Sequence, residues 1–190
     1  MSDKMPKEEK QNLGVEKQAL LQMSEISLIL DTYDDIFSDF DPRHYSQRAL
    51  SDDFLQEIKR ASRDKPTGTI EIKFMMPAHL RSREQENIIA RRLHEHFHKH
   101  YLKEQEEIKR IKREGLLLAG LGVLFLFISA YLYTLSEKLF IYLLIVIFEP
   151  AGWFSVWTGL DQWYYTAKSK KPDAAFYEKM SKADISFVGY

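Results

Sequence analysis

No charged side chain interrupts the 22 residues from Gly115 to Ser136, and no other feature constrains the chain as much. Leu116, Leu117, Leu118, Leu121, Val123, Leu124, Phe125, Leu126, Phe127 and Ile128 lie inside this run. At about −0.3 to −0.6 kcal/mol for each such residue near the centre of an inserted helix, the ten together favour insertion into a bilayer by several kcal/mol. The run is too long and too far from the N-terminus to be the apolar part of a signal peptide. It predicts a transmembrane helix over 115–135.

A second apolar run covers 139–160 and carries Glu149 and Pro150 near its midpoint. A charge at that depth costs about 2.5–3.5 kcal/mol, which the stretch from Leu139 to Phe148 offsets, so a second span is expected. Only Leu135, Ser136, Glu137 and Lys138 separate the two runs, enough for a tight antiparallel turn. The pattern is a helical hairpin with both termini on one side. Lys109, Arg110, Lys112 and Arg113 precede the first run, Lys168, Lys170 and Lys171 follow the second, and the turn is neutral. The positive-inside bias therefore predicts cytoplasmic termini. A plasma (inner) membrane of prokaryotic type is the expected location, from the chain's economy and the absence of sorting motifs. Tyr131 and Tyr133 at one end, and Trp157, Trp163, Tyr164 and Tyr165 at the other, suit the two headgroup layers. Small residues recur as Gly115, Ala119 and Gly122 on one helix and Ala151, Ser155 and Gly159 on the other. Such ridges allow close helix packing within the hairpin or self-association between hairpins.

Composition matters chiefly by its distribution. The chain has 27 Lys and Arg against 28 Asp and Glu, yet only Glu137, Lys138 and Glu149 fall within 115–160. The polar remainder has few apolar residues and can support only a small core. A net charge of −1 argues against a nucleic-acid partner. With no cysteine, disulfides, Cys-ligated zinc and a Cys nucleophile are excluded. No cofactor motif and no GxSxG elbow is present, so the sequence makes no case for an enzyme.

The polar part reads as a small α/β (α+β) cytosolic layer of about three strands, split in sequence by the membrane hairpin. Residues 1–23 form a charged N-terminal tail, expected to be mobile, in which Val15 to Met23 makes a short helix at most. Within 24–81, Ile26, Leu28 and Leu30 alternate with polar or outward positions, as do Ile70, Ile72 and Phe74, giving two strands with one buried face each. Between them Ser51 is an N-cap, Asp52 and Asp53 fill the first turn, and Phe54, Leu55 and Ile58 make an apolar face that ends at Lys65, Pro66 and Gly68. Strand, helix, strand predicts a parallel crossover. Residues 82–114 form a long helix with a capping box at Ser82 and Gln85 and an apolar stripe of Ile89, Leu93, Phe97 and Tyr101. No Gly or Pro separates it from the first span, so a rod of about 50 residues and roughly 75 Å is expected. In 161–190, a helix beginning near Pro172 and Asp173 turns Phe176 and Met180 inward. Ile185 and Phe187 then form a third strand that rejoins the sheet.

Three clusters could carry chemistry. His94 and His98 lie about 40° apart on a helix, and His96 and His100 form a second pair on the other side of the stripe. Either pair could give two nitrogens to zinc, nickel or copper, or sense protons, but further ligands are needed. The commoner role is a polar helix shoulder. Asp31, Asp34, Asp35, Asp39 and Asp41 could offer oxygens to Mg²⁺ or Ca²⁺. Their spacing fits no EF-hand loop, and cap and turn duties, or pairing with Arg43 and Arg48, are the simpler account. Glu149 is the sharpest residue, because an acid at mid-bilayer must be protonated, paired or turned to water. Pro150 removes a backbone donor beside it, and Trp153 and Trp157 follow at four-residue spacing on the same face. A carboxyl stabilising a helix broken at Pro150 is one reading of it.

The expectation is an integral membrane protein whose cytosolic layer is an interaction or sensing module coupled to the hairpin. Its partners would be the lipid bilayer, further copies of itself, and an unidentified protein or small ligand on the cytosolic side. An oligomeric ion or proton pathway lined by Glu149 and gated by the cytosolic layer is the alternative.

Overall fold

A computed structural model of the chain describes residues 26–63, 70–135 and 138–190. The N-terminal tail, the helix stop at Lys65, Pro66 and Gly68, and Ser136 and Glu137 of the turn lie outside those residues. The chain is mostly helical around a small parallel sheet. In order come β1 (Ile26–Ile29), α1 (Asp52–Arg63), β2 (Glu71–Met76), α2 (Arg83–Tyr133), α3 (Leu139–Asp161), α4 (Lys171–Ser181) and β3 (Asp184–Gly189). Short 3-10 turns occupy Tyr33–Ile36 and Ala78–Leu80, and a π-helical turn occupies Gln162–Thr166. Two compact units divide the described residues: 26–100 together with Phe176–Tyr190, and Tyr101–Ala175.

In the first unit the sheet order is β1-β2-β3, all parallel. Ile26, Ile72 and Ile185 share one rung, and Leu28, Phe74 and Phe187 share another. The period-2 alternation thus stacks large apolar residues across all three strands, with the Phe74 and Phe187 rings 5.1 Å apart. β2, read from sequence as buried on one face, is central and closed on both at its end: Met75 and Met76 are as buried as Phe74. A middle strand of a parallel sheet is covered on both sides, so its apolar residues run together instead of alternating.

Ser51 stands just before α1, its carbonyl accepting the Leu55 N–H at 3.0 Å as the first bond of the helix. Asp52 and Asp53 then sit at the favourable end of the helix dipole. Phe54 and Ile58, one turn apart, enter the core. On α2, Ile89, Leu93 and Phe97 are fully buried, the four-residue stripe of the sequence, and Phe97 meets Phe176 of α4 edge-on at 6.1 Å. The acid-rich stretch after β1 contributes more core than its composition promises. Tyr33, Ile36 and Phe37 are buried, and Phe37 pairs across a single antiparallel bridge with buried Leu50.

Two helices are long and apolar enough to cross a membrane, and their apolar stretches, the later part of α2 and all of α3, lie in the second unit. α2 and α3 run antiparallel and touch backbone to backbone. A Cβ added to Gly122 would fall 2.6 Å from the Val156 nitrogen and 2.7 Å from the Gly152 oxygen, and one on Gly115 would fall 2.7 Å from the Gly159 oxygen. Gly159 in turn lies against Ala119. On α3 the close-packed residues are Gly152, Val156 and Gly159, whereas the sequence spacing pointed to Ala151, Ser155 and Gly159. Gly152 and Gly159 are buried while Ala151 and Ser155 are not, because two nearly antiparallel helices meet along a seam of period 3.5, not 4. Outward, Phe127, Phe140 and Phe154 leave 70%, 70% and 73% of their surface uncovered.

Candidate functional site

Glu149 occupies the interior of α3, which passes through Pro150 as one helix. The expected break at the proline is therefore absent. The carboxylate, inside the helix, does not act as a helix cap. Phe148 packs on Phe125 with ring centroids 5.4 Å apart, which sets Glu149 level with the middle of the uncharged run of α2. The Tyr133 hydroxyl donates to the Glu149 carboxylate at 3.3 Å. By sequence Tyr133 suits a headgroup layer. A short turn brings the end of α2 beside the first half of α3, and the long Tyr133 side chain spans the remaining distance to Glu149. The Ser129 hydroxyl, one turn earlier on α2, is buried with no hydrogen-bond partner among the described residues. Trp153 and Trp157, on the Glu149 side by helical spacing, are 51% and 66% exposed. Trp157 opens on a separate groove at the far end of α3.

The histidines divide. His94 Nε2 lies 2.8 Å from the Ala183 carbonyl, so that nitrogen carries a proton and ties α2 to the residue preceding β3. His98 is exposed. His96 and His100 are brought together with centroids 4.3 Å apart, and His100 stacks on Tyr177 at 5.2 Å. His96 Nε2 is buried without a hydrogen-bond partner among the described residues. Burial, reinforced by His100, Arg92 and Lys99, pulls the His96 pKa down to about 4. Among the described residues no group of three or more His, Asp or Glu side chains converges as a metal site.

The acidic loop is a set of separate caps and pairs. The Asp35 carboxylate accepts the N–H groups of Asp31 and Thr32 at 2.7 and 3.0 Å. Asp34 pairs with Arg48 and receives the Tyr45 hydroxyl at 3.3 Å. Asp41 takes Arg43 Nε and Nη2 at 2.8 and 2.7 Å and the Ala49 N–H at 2.7 Å. The Arg43 fork and that backbone donor hold the Asp41 carboxyl well below the usual carboxylate range. Asp31 and Asp39 are exposed. These oxygens point at the loop's own donors, not toward one centre.

A hydrogen-bonded network at the start of α2 has no signature in the sequence pattern. Glu86, 8% exposed, receives Arg81 Nε at 2.7 Å and the Tyr33 hydroxyl at 3.2 Å, and Tyr33 in turn accepts the Ser82 N–H at 2.8 Å. Burial is the main reason that the Tyr33 pKa is raised. Close by on α2, Asn87, Ile88, Arg91, Arg92 and Glu95 line, with Ser46, an open groove of about 290 Å³. No family model, curated protein or solved structure matches the chain.

Proposed function

We propose that the chain is an integral membrane protein in which α2 and α3 cross the bilayer as a hairpin. The unit of residues 26–100 and Phe176–Tyr190 is a cytosolic interaction or sensing module. The supporting observation is the antiparallel pair itself, sealed backbone to backbone along Gly115, Gly122, Gly152 and Gly159 while large apolar side chains face outward. In water such a surface is an aggregation liability; in lipid it is the solvent-facing side. Basic residues flank both outer ends of the hairpin, which supports cytoplasmic termini and the inner membrane. α2 has no break between the stripe that enters the module's core and the apolar run, so it couples module to hairpin. The Ser46–Arg92 groove is the module's candidate contact for a protein or small-ligand partner.

The test is a membrane preparation with tags on both termini. Resistance to carbonate extraction and protease access to both tags from the same face are expected. Release by carbonate, or tags on opposite faces, overturns the reading. The Tyr133 donor gives Glu149 a partner inside one hairpin, and this favours the interaction module over an ion pathway that recruits the acid in an oligomer.

A further inference from the structure

We propose that the groove where α3 passes into its π turn binds the headgroup of a zwitterionic phospholipid, with the lipid ammonium against Asp161 and the surrounding rings and the phosphate at Lys168. The inference rests on the membrane reading above and adds a ligand and a site to it. The groove measures about 540 Å³ and is lined by Phe154, Trp157, Asp161, Trp163, Tyr164 and Tyr165. Five aromatic rings around one carboxylate are chemistry for a cation: the ring faces attract it through their quadrupoles and the carboxylate through its charge. Among the described residues Asp161 makes no ion pair. Lys168 Nζ lies over the Tyr164 ring, 5.6 Å from its centroid, and pairs with no described carboxylate. Among the described residues, then, a carboxylate without an ion pair lines the groove, and a lysine without one stands at its edge over one of its rings, which complements the two charges of a headgroup that carries both an ammonium and a phosphate.

Local backbone and depth agree. At uniform α-helical spacing Trp163 would stand about 180° around the helix from Phe154. The π turn Gln162–Thr166, in which the Ala167 N–H reaches back to Gln162, begins beside Trp163, and Trp163 and Phe154 nonetheless line one groove. Single π turns inside longer helices recur at functional sites. A Cβ on Gly115 would lie 2.8 Å from the Trp163 nitrogen, so the groove is level with the start of the uncharged run and one turn from Lys112 and Arg113. That is headgroup depth. Phe154 and Trp157 continue from it along the apolar face, where the lipid's acyl chains would lie.

An ordinary aromatic belt favours the interface without choosing among headgroups, and this separates the two accounts. All three tryptophans of the chain are Trp153, Trp157 and Trp163, and two of them line the groove, so intrinsic fluorescence reports on it directly. The full chain in mild detergent is titrated with short-chain phosphatidylcholine, phosphatidylethanolamine or phosphatidylglycerol. A saturable emission change is expected at about tenfold lower concentration for either ammonium lipid than for the glycerol lipid. Asp161→Asn should abolish that preference, and Lys168→Gln should weaken binding of the ammonium lipids. Equal responses to all three lipids, or a preference that survives Asp161→Asn, overturn the site while leaving the membrane reading intact. A chain that stays soluble and monodisperse without detergent overturns the membrane reading, and the site with it.

Discussion

A neutral imidazole at position 96 is part of how the module holds together. With its pKa near 4 in the fold against about 6.5 when unfolded, His96 binds fewer protons folded than unfolded between those values. The stability this provides is complete above about pH 6.5 and is lost as pH falls toward 4. A thermal melt followed by circular dichroism should therefore shift downward over that window in the wild type. His96→Leu should flatten the dependence, and an identical slope in both would show that other groups dominate. Spacing alone revealed the pairing of His96 with His100. It could not reveal that His94 is committed to the Ala183 carbonyl, because that partner arrives 89 residues later along the chain. The acids of the first loop were legible as caps, since Asp at a turn accepts nearby N–H groups whatever the wider fold. Glu86 was not, because its burial depends on Tyr33 and Arg81 closing over it.

At the level of elements, the two helical faces of α2 answer to different rules. Ile89, Leu93 and Phe97 fill a water-excluding core, so Phe97→Ala should cost about 3–5 kcal/mol in chemical denaturation of the module. The Gly face lower down works by closeness. Gly122→Ala puts a methyl group 2.6 Å from the Val156 nitrogen and should lower stability in detergent by about 1–3 kcal/mol. Gly120 has nothing within 4 Å of the same added carbon, so Gly120→Ala should leave the melting temperature unchanged or slightly raised. A matched loss at both positions would mean that the glycines serve backbone flexibility and not packing. All three strands could be read from their alternation, and α2 from its uninterrupted length. The stretch holding Tyr33, Ile36 and Phe37 was harder, because five aspartates between 31 and 41 mask a one-turn apolar face. Gly152 escaped notice because a four-residue ridge through Gly159 looks regular in sequence, while the contacting seam is spaced by three and four in turn.

For the whole molecule, a carboxylate with a donor inside its own hairpin predicts little need for higher assembly. Mass measurement in mild detergent should give one or two chains. Liposomes should show no conductance, with wild type and Glu149→Gln alike; four or more chains and a current lost on substitution would instead establish the pathway. The sheet has a further consequence in time. β2 pairs with β3 over six residues, but everything from Pro77 to Ala183, both long helices included, must be synthesised between them. At roughly 5–20 residues per second that interval lasts on the order of 5–20 s. Throughout it the nascent β2 keeps one side of its backbone unsatisfied, with Met75 and Met76 beside it. Chaperone capture and off-pathway strand pairing compete in that window, so slow synthesis of the two long helices would first injure the sheet, which neither of them joins.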